Sequence, residues 1–212
     1  MTEESKAKAK ARRDYLYRTK WMPAYLAFIA LYPFGLEDLE GEIWRWIADY
    51  EGLYQISNYG RVKSFPRYRR HKESKILKPS CDSMGYLKIG LNKDGDSRKF
   101  AIHRLVAQAF IPNLNNLPEV NHKDGHPLNC YVENLEWATK SENMQHAIKM
   151  GLLKTGTNNV RAKLTAEQVR YIRKMYRPFD RKFGARALAR KFNVSLAIVK
   201  DVIHGKTYKN VD

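Results

Sequence analysis

The sequence predicts a modular α+β protein, and three observations carry that prediction. Residues 42–100 hold short alternating apolar stretches punctuated by turn signals. Residues 118–151 read as strand, loop, strand and helix within about thirty residues. Residues 164–212 read as three short helices sharing one apolar set. The expected segments are therefore an N-terminal extension (1–40), a small β-rich module (41–100), a central ββα unit (101–153), a linker (154–163) and a helical C-terminal domain (164–212).

The extension begins with a polar stretch carrying Lys6, Lys8, Lys10, Arg12 and Arg13, expected to fray or to lie along a polyanion. Residues 21–36 then form an apolar run bracketed by Pro23 and Pro33, expected to be a short buried helix packed on the next domain. No small-x-small cleavage site follows it, which argues against a secretory leader. In the β-rich module, Trp44/Trp46 and Leu53/Gln55 show partial alternation, and Gly52 and Asn58-Tyr59-Gly60 mark turns. Tyr86, Leu87, Ile89 and Leu91 lead into Lys93-Asp94-Gly95-Asp96, and Phe100 and Ile102 return from it as a hairpin. Of the four tryptophans, Trp44, Trp46 and Trp137 are expected in the core.

Residues 103–111 place Leu105, Val106, Ala109 and Phe110 at helical spacing, and Pro112 stops that helix. Val120–His122 reads as a strand that turns at Asp124-Gly125, and Asn134–Ala138 as its return. Thr139-x-x-Glu142 is a capping-box signature for a helix that ends at Gly151. Further on, Thr165-x-x-Gln168 opens a helix to about Tyr176, Gly184–Phe192 forms a second, and Leu196–His204 a third after the turn Asn193-Val194-Ser195. That is the layout of a helix-turn-helix, whose last helix can enter a major groove.

Charge points to the partner. The formal net charge is +17 over 212 residues. Residues 61–80 hold eight Lys/Arg against one Glu, and residues 161–212 hold fourteen against four acids, so these two segments carry the whole excess. Concentrated cations suit a polyanion, because each one that neutralises a phosphate releases a condensed counterion. Double-stranded DNA is the expected partner, with Arg61, Lys63, Arg67, Arg69, Arg70 and Lys72 gripping backbone and Arg186, Ser195, Lys200, His204 and Lys206 on the distal domain. The longest apolar run, Ala24–Phe34, would span about 16 Å as a helix against a hydrocarbon core of about 30 Å, so no membrane partner is expected. Cys81 and Cys130 cannot build a disulfide framework and form no CxxC pair for structural zinc.

The stretches HRLVAQAFIP, VNHKDGHPLNCYVENLEWAT and SENMQHAIKMG together resemble the HNH homing endonucleases, within the His-Me-finger (ββα-metal) nucleases. EIWRWIADYEGLYQISNYGRVKSF is similar to the small DNA-binding module that often precedes this nuclease core. The resemblance covers roughly residues 42–208 and implies a ββα-metal nuclease core over 101–153. It implies that His122 is the general base for phosphodiester hydrolysis, a task suited to an imidazole that is mostly neutral near physiological pH. It implies that Asn134 ties the loop together and orients His122, and that Asn121 and Asn143 hold one divalent cation. His146, three residues on from Asn143, is expected to touch the phosphate or the metal.

Family members often carry Asp or His where this chain has Asn121, and His where it has Asn143. Two amide oxygens make a weak site suited to Mg²⁺ or Mn²⁺. The resemblance further implies a site-specific enzyme that nicks one strand per active site, acts as a monomer on DNA, takes no small-molecule substrate and works in the cytoplasm of a bacterial or phage-infected cell. The alternative is a non-catalytic helix-turn-helix regulator that keeps a degenerate nuclease core.

Overall fold

The computed structural model describes residues 3–67, 72–153, 159 and 162–211. Most of the expected linker, together with Arg69 and Arg70, lies outside these residues. The chain divides into two compact units, residues 1–143 and 144–212.

The first unit opens with a helix, α1 (Glu3–Leu16), which continues through a wide turn at Tyr17–Trp21 into α2 (Met22–Ala30). The expected frayed segment is thus helical, because alternating Ala with Lys and Arg supplies strong helix formers. The apolar run forms a helix as expected but is not fully buried. Ala24, Tyr25 and Phe28 pack on the core while Leu26 and Leu31 face outward. Trp21 anchors the segment by lying so close to Gly85 that a Cβ there would sit 2.6 Å from the indole ring. Tyr25 adds a 2.7 Å hydrogen bond from its hydroxyl to the Pro79 carbonyl.

Strands β1 (Trp44–Trp46), β2 (Tyr54–Ser57), β3 (Val62–Ser64) and β4 (Lys75–Ile76) form an antiparallel sheet in that order. Strands β5 (Ser80–Cys81), β6 (Leu87–Lys93) and β7 (Asp96–Ala101) form a second. The β6–β7 turn uses Asp94 and Gly95, both with positive φ, as a right-twisted two-residue hairpin requires. Helix α3 (Ile102–Phe110) then packs Ile102, Leu105, Val106 and Ala107 inward. Strands β8 (Glu119–His122) and β9 (Leu135–Ala138) make a ribbon, and α4 (Lys140–Lys149) follows.

The expected β-rich module and nuclease core share one hydrophobic core. Tyr54, Ile56 and Val62 lie in the same cluster as Leu105, Val106, Val120 and Leu135. Their junction is close: Val132 donates its N–H to the Asn58 carbonyl at 2.8 Å, and Tyr59 stacks on Tyr131 at 5.0 Å. Gly60 (φ +81°) makes that approach possible, since a Cβ there would lie 3.0 Å from Cys130 Cβ. Of the tryptophans expected inside, Trp46 is instead 43% exposed and tilted against Phe65, while Trp44 and Trp137 are half-buried. Their indole N–H groups explain the compromise: each needs an acceptor, found at Asp38 and at the Ile111 carbonyl.

The second unit contains α5 (Ala166–Met175), α6 (Ala185–Lys191) and α7 (Leu196–Ile203). Thr165 and Gln168 close a reciprocal capping box on α5, and Ser195 caps α7 by accepting from Ile198 N–H. Val169, Ile172, Leu188, Val199 and Val202 are fully buried together, each stabilising the fold by about 1.5–3 kcal/mol relative to exposure. Asn193 takes φ +50° to make the tight turn between α6 and α7.

Candidate active site and nucleic-acid interface

Strand β8 ends at His122 because Asp124-Gly125 turns the chain, with Gly125 N–H returning to the His122 carbonyl at 2.9 Å. Consecutive residues of a strand face opposite ways, so the ribbon presents His122 on one face and Asn121 on the other. Both are 6% exposed.

His122 packs against two rings from other elements. His103, at the start of α3, meets it edge-on with centroids 4.9 Å apart, and Tyr86 lies 5.9 Å away. Nε2 of His122 and Nδ1 of His103 are enclosed without a hydrogen-bond partner among the described residues. Burial is the main reason His122 is pushed down to about 4, with Asp124 opposing the shift and His126 adding to it. Burial likewise pushes His103 down to about 3, helped by His122, Lys88 and Arg104. Both imidazoles are therefore neutral near pH 7.

Asn134 directs its side chain into the loop after β8. Its Oδ1 accepts from Asp124 N–H at 3.0 Å, and its Nδ2 donates to Asp124 Oδ1 at 3.0 Å and to the Asn129 carbonyl at 2.9 Å. Asn134 does not open the return strand as expected but ends a 3-10 turn (Val132–Asn134) just before β9, and its own carbonyl accepts from Lys123 N–H at 2.8 Å, which ties that turn to the residue beside His122. Asp124 is the hub of this turn. Its partial burial would raise the carboxyl, but hydrogen bonds from His126 N–H, Asn129 and Asn134 outweigh that and hold it below the ordinary carboxylate range.

Asn121 pairs across the ribbon with Glu136, donating from Nδ2 to Glu136 Oε1 at 2.8 Å. Asn143 is half-buried in the first turn of α4, which Thr139 and Glu142 cap reciprocally at 2.7 and 3.1 Å. His146 is half-buried further along α4. Amide oxygens from Asn121 and Asn143 are hard donors that fit an alkaline-earth-like divalent cation and not zinc. Among the described residues no group of three or more His, Cys, Asp or Glu gathers as a metal cluster.

The basic run of the first unit divides into buried and exposed cations. Arg61 is not available to a phosphate: it is 1% exposed, paired with Glu42 at 2.7 Å and bonded to the Glu37 and Gly35 carbonyls. A residue read as a DNA contact is thus a scaffold cation, because the carboxylate of Glu42 is itself enclosed and requires it. Lys63 lies 4.0 Å over the Trp44 ring and 3.4 Å from Asp38, and Arg67 donates to the Asn92 carbonyl at 2.6 Å over Tyr54. Lys72 is exposed. In the second unit Arg186, Ser195, Lys200, His204 and Lys206 are all exposed, with Ser195 also serving as the α7 cap.

Sequence reasoning missed His103, Tyr86 and Glu136. Glu136 had a usable signal, since ribbon register places it opposite Asn121. His103 stands nineteen residues before His122 on a different element, and no local spacing connects them.

A strand–loop–strand–helix unit with a neutral, enclosed histidine closing its first strand is the ββα arrangement of the His-Me-finger nucleases. Residues 42–92 match the NUMOD4 motif, and residues 100–145 match the HNH endonuclease family. The chain is 39% identical over 110 residues to the DNA endonuclease I-HmuI of Bacillus phage SP01, covering 52% of this chain and 60% of that protein. It is 42% identical over 96 residues to an uncharacterised HNH endonuclease, L245, of Acanthamoeba polyphaga mimivirus, covering 45% of this chain and 27% of that protein. A solved structure described as DNA binding and cleavage by the HNH homing endonuclease I-HmuI is 30% identical, covers 77% of this chain and 90% of that chain, and has a TM-score of 0.47. The chain belongs to the HNH endonucleases and carries a NUMOD4 motif ahead of its nuclease domain. The matched regions span only 27% and 60% of the two relatives' own lengths.

Proposed function

We propose that the chain is a site-specific DNA endonuclease of the homing type that hydrolyses one phosphodiester per active site. The observation that carries this reading is His122, neutral at physiological pH, with Nε2 enclosed at the end of β8. That leaves Nδ1 to take the proton of the water that attacks phosphorus. The phosphorus–O3′ bond breaks, yielding a 5′-phosphate and a 3′ oxygen that takes up a proton from solvent. Asn134 holds the loop that fixes His122, and Asn121 and Asn143 would hold one divalent cation, Mg²⁺ or Mn²⁺. When bound, the cation would supply stabilisation of the negative charge that develops on the phosphate in the transition state.

Cleavage is local to the ββα unit, whereas recognition is distributed. The exposed face of α7, with Lys200 and His204, is suited to base edges in a major groove, and Lys206 and Arg186 to backbone. With one active site per chain, a monomer on DNA nicks, and linear product requires a second event. The test is incubation of supercoiled plasmids carrying a library of host genomic fragments, so that a target is present, with Mg²⁺, Mn²⁺ or EDTA. Metal-dependent conversion to open circle is expected; duplex binding without cleavage in either metal overturns the reading.

A further inference from the structure

Glu136 is an exposed carboxylate on β9, directly opposite the buried Asn121 on β8. Directly opposed residues of an antiparallel ribbon project from the same face, and here they are joined by the 2.8 Å bond from Asn121 Nδ2 to Glu136 Oε1. The chemistry of that bond settles which way the amide points. An ionised carboxylate only accepts, so the atom facing it is the NH₂ group, and Oδ1 is turned away from Glu136.

We propose that Glu136 is a positioning residue for the cation site, acting through Asn121. It does two things that the ligand pair cannot do alone. An asparagine ligates a hard cation only through its oxygen, and a side-chain amide rotated by half a turn presents NH₂ and repels the ion. Glu136 removes that rotamer by occupying the NH₂ side. The second contribution is charge: Asn121 and Asn143 carry none, and Glu136 places one negative charge a single hydrogen bond behind the ligand. Partners of this kind orient metal-binding side chains, and their loss typically weakens metal affinity by about 10–100-fold. Because Glu136 is exposed, solvent screens its charge, so orientation is the larger of the two effects.

The inference rests on Asn121 being a ligand, and the experiment separates the two. Mn²⁺ binding to the full chain mixed with a short duplex is followed by electron paramagnetic resonance, with the duplex alone as reference. Glu136→Ala, which removes both acceptor and charge, is expected to weaken Mn²⁺ binding about tenfold. Glu136→Gln, which can still accept from Asn121, is expected to restore most of that loss. In an Asn121→Asp background the ligand has two equivalent oxygens and its own charge, so Glu136→Ala should weaken binding by no more than about twofold. A purely structural role for Glu136 would give the same loss in both backgrounds. Wild-type chain that takes up no Mn²⁺ beyond the duplex alone overturns the metal-site reading itself. Wild-type uptake with Glu136→Ala unchanged overturns the role of Glu136 while leaving that reading intact.

Discussion

Replacing Arg61 with alanine is expected to destabilise the first unit by about 4 kcal/mol without a matching loss of DNA contacts. The guanidinium is 1% exposed, and the Glu42 side chain it pairs with is fully enclosed. Truncation strands that carboxylate and leaves the Gly35 and Glu37 carbonyls without their donor. Removing one partner of a buried pair costs about 3–5 kcal/mol, mostly from the uncompensated charge left behind. For a body of this size each kcal/mol lowers the melting temperature by about 2–4 °C, so a shift of roughly 10 °C is expected. Urea unfolding followed by tryptophan emission measures it, and Trp44, 5.5 Å from the guanidinium, is a local reporter. The double substitution Arg61→Ala with Glu42→Ala removes the stranded charge and should cost less than the two single losses combined. The reasoning is refuted if Arg61→Ala unfolds within about 1 kcal/mol of wild type while its duplex affinity falls, since that describes an exposed phosphate contact.

Acid should act through the paired imidazoles. His122 near 4 and His103 near 3 both lie below the ordinary 6.5, so the fold favours their neutral forms. Their contribution to stability is complete above pH 6.5 and is lost as pH falls toward 4 and then 3, worth about 3 kcal/mol for His122 alone; urea midpoints between pH 8 and 4 check this. The low-pH limb of kcat/KM, which reports free enzyme, should likewise fall below pH 5; a limb at 6.5 would show that His122 is not held neutral by burial. Asn134→Ala removes three hydrogen bonds from the 124–129 loop and should cost about 1–3 kcal/mol while slowing cleavage, as read by paired unfolding and nicking assays. Gly85→Ala combines a strained φ of +92° with a clash against the Trp21 ring, and should release the N-terminal helical segment, detected as faster amide exchange in residues 17–30.

The elements that were legible in the sequence are those specified by neighbours along the chain. The Asp94-Gly95 turn, the Thr139/Glu142 and Thr165/Gln168 capping boxes and the helix stop at Pro112 each depend on residues within four positions, and the structure builds all of them. What was not legible depends on partners far away. Arg61 reads as one more cation in a basic run, and only the return of Glu42 and the 35–37 carbonyls to its guanidinium makes it a core residue. The polar composition of the N-terminal extension predicts a segment that frays or lies along a polyanion, whereas its alternating Ala, Lys and Arg form a helix because helix propensity is independent of burial. At the site, the strand–turn–strand order predicts His122 on β8 and Asn143 on α4, whereas Asn134, expected to open the return strand, closes a 3-10 turn one residue before β9, and the His103–His122 contact arises from α3 packing on the ribbon. The Glu136 partnership needed only register, and register follows once the two strands are aligned.

The most direct test of the account is the single-turnover rate at which wild type and His122→Ala convert supercoiled plasmid to open circle at pH 7.5 with saturating Mg²⁺. A general base contributes about 10²–10⁴-fold, so the variant is expected to bind duplex DNA normally and nick it slower by at least a hundredfold. Equal rates for the two proteins, with equal binding, would contradict the assignment of His122 as the group that activates water.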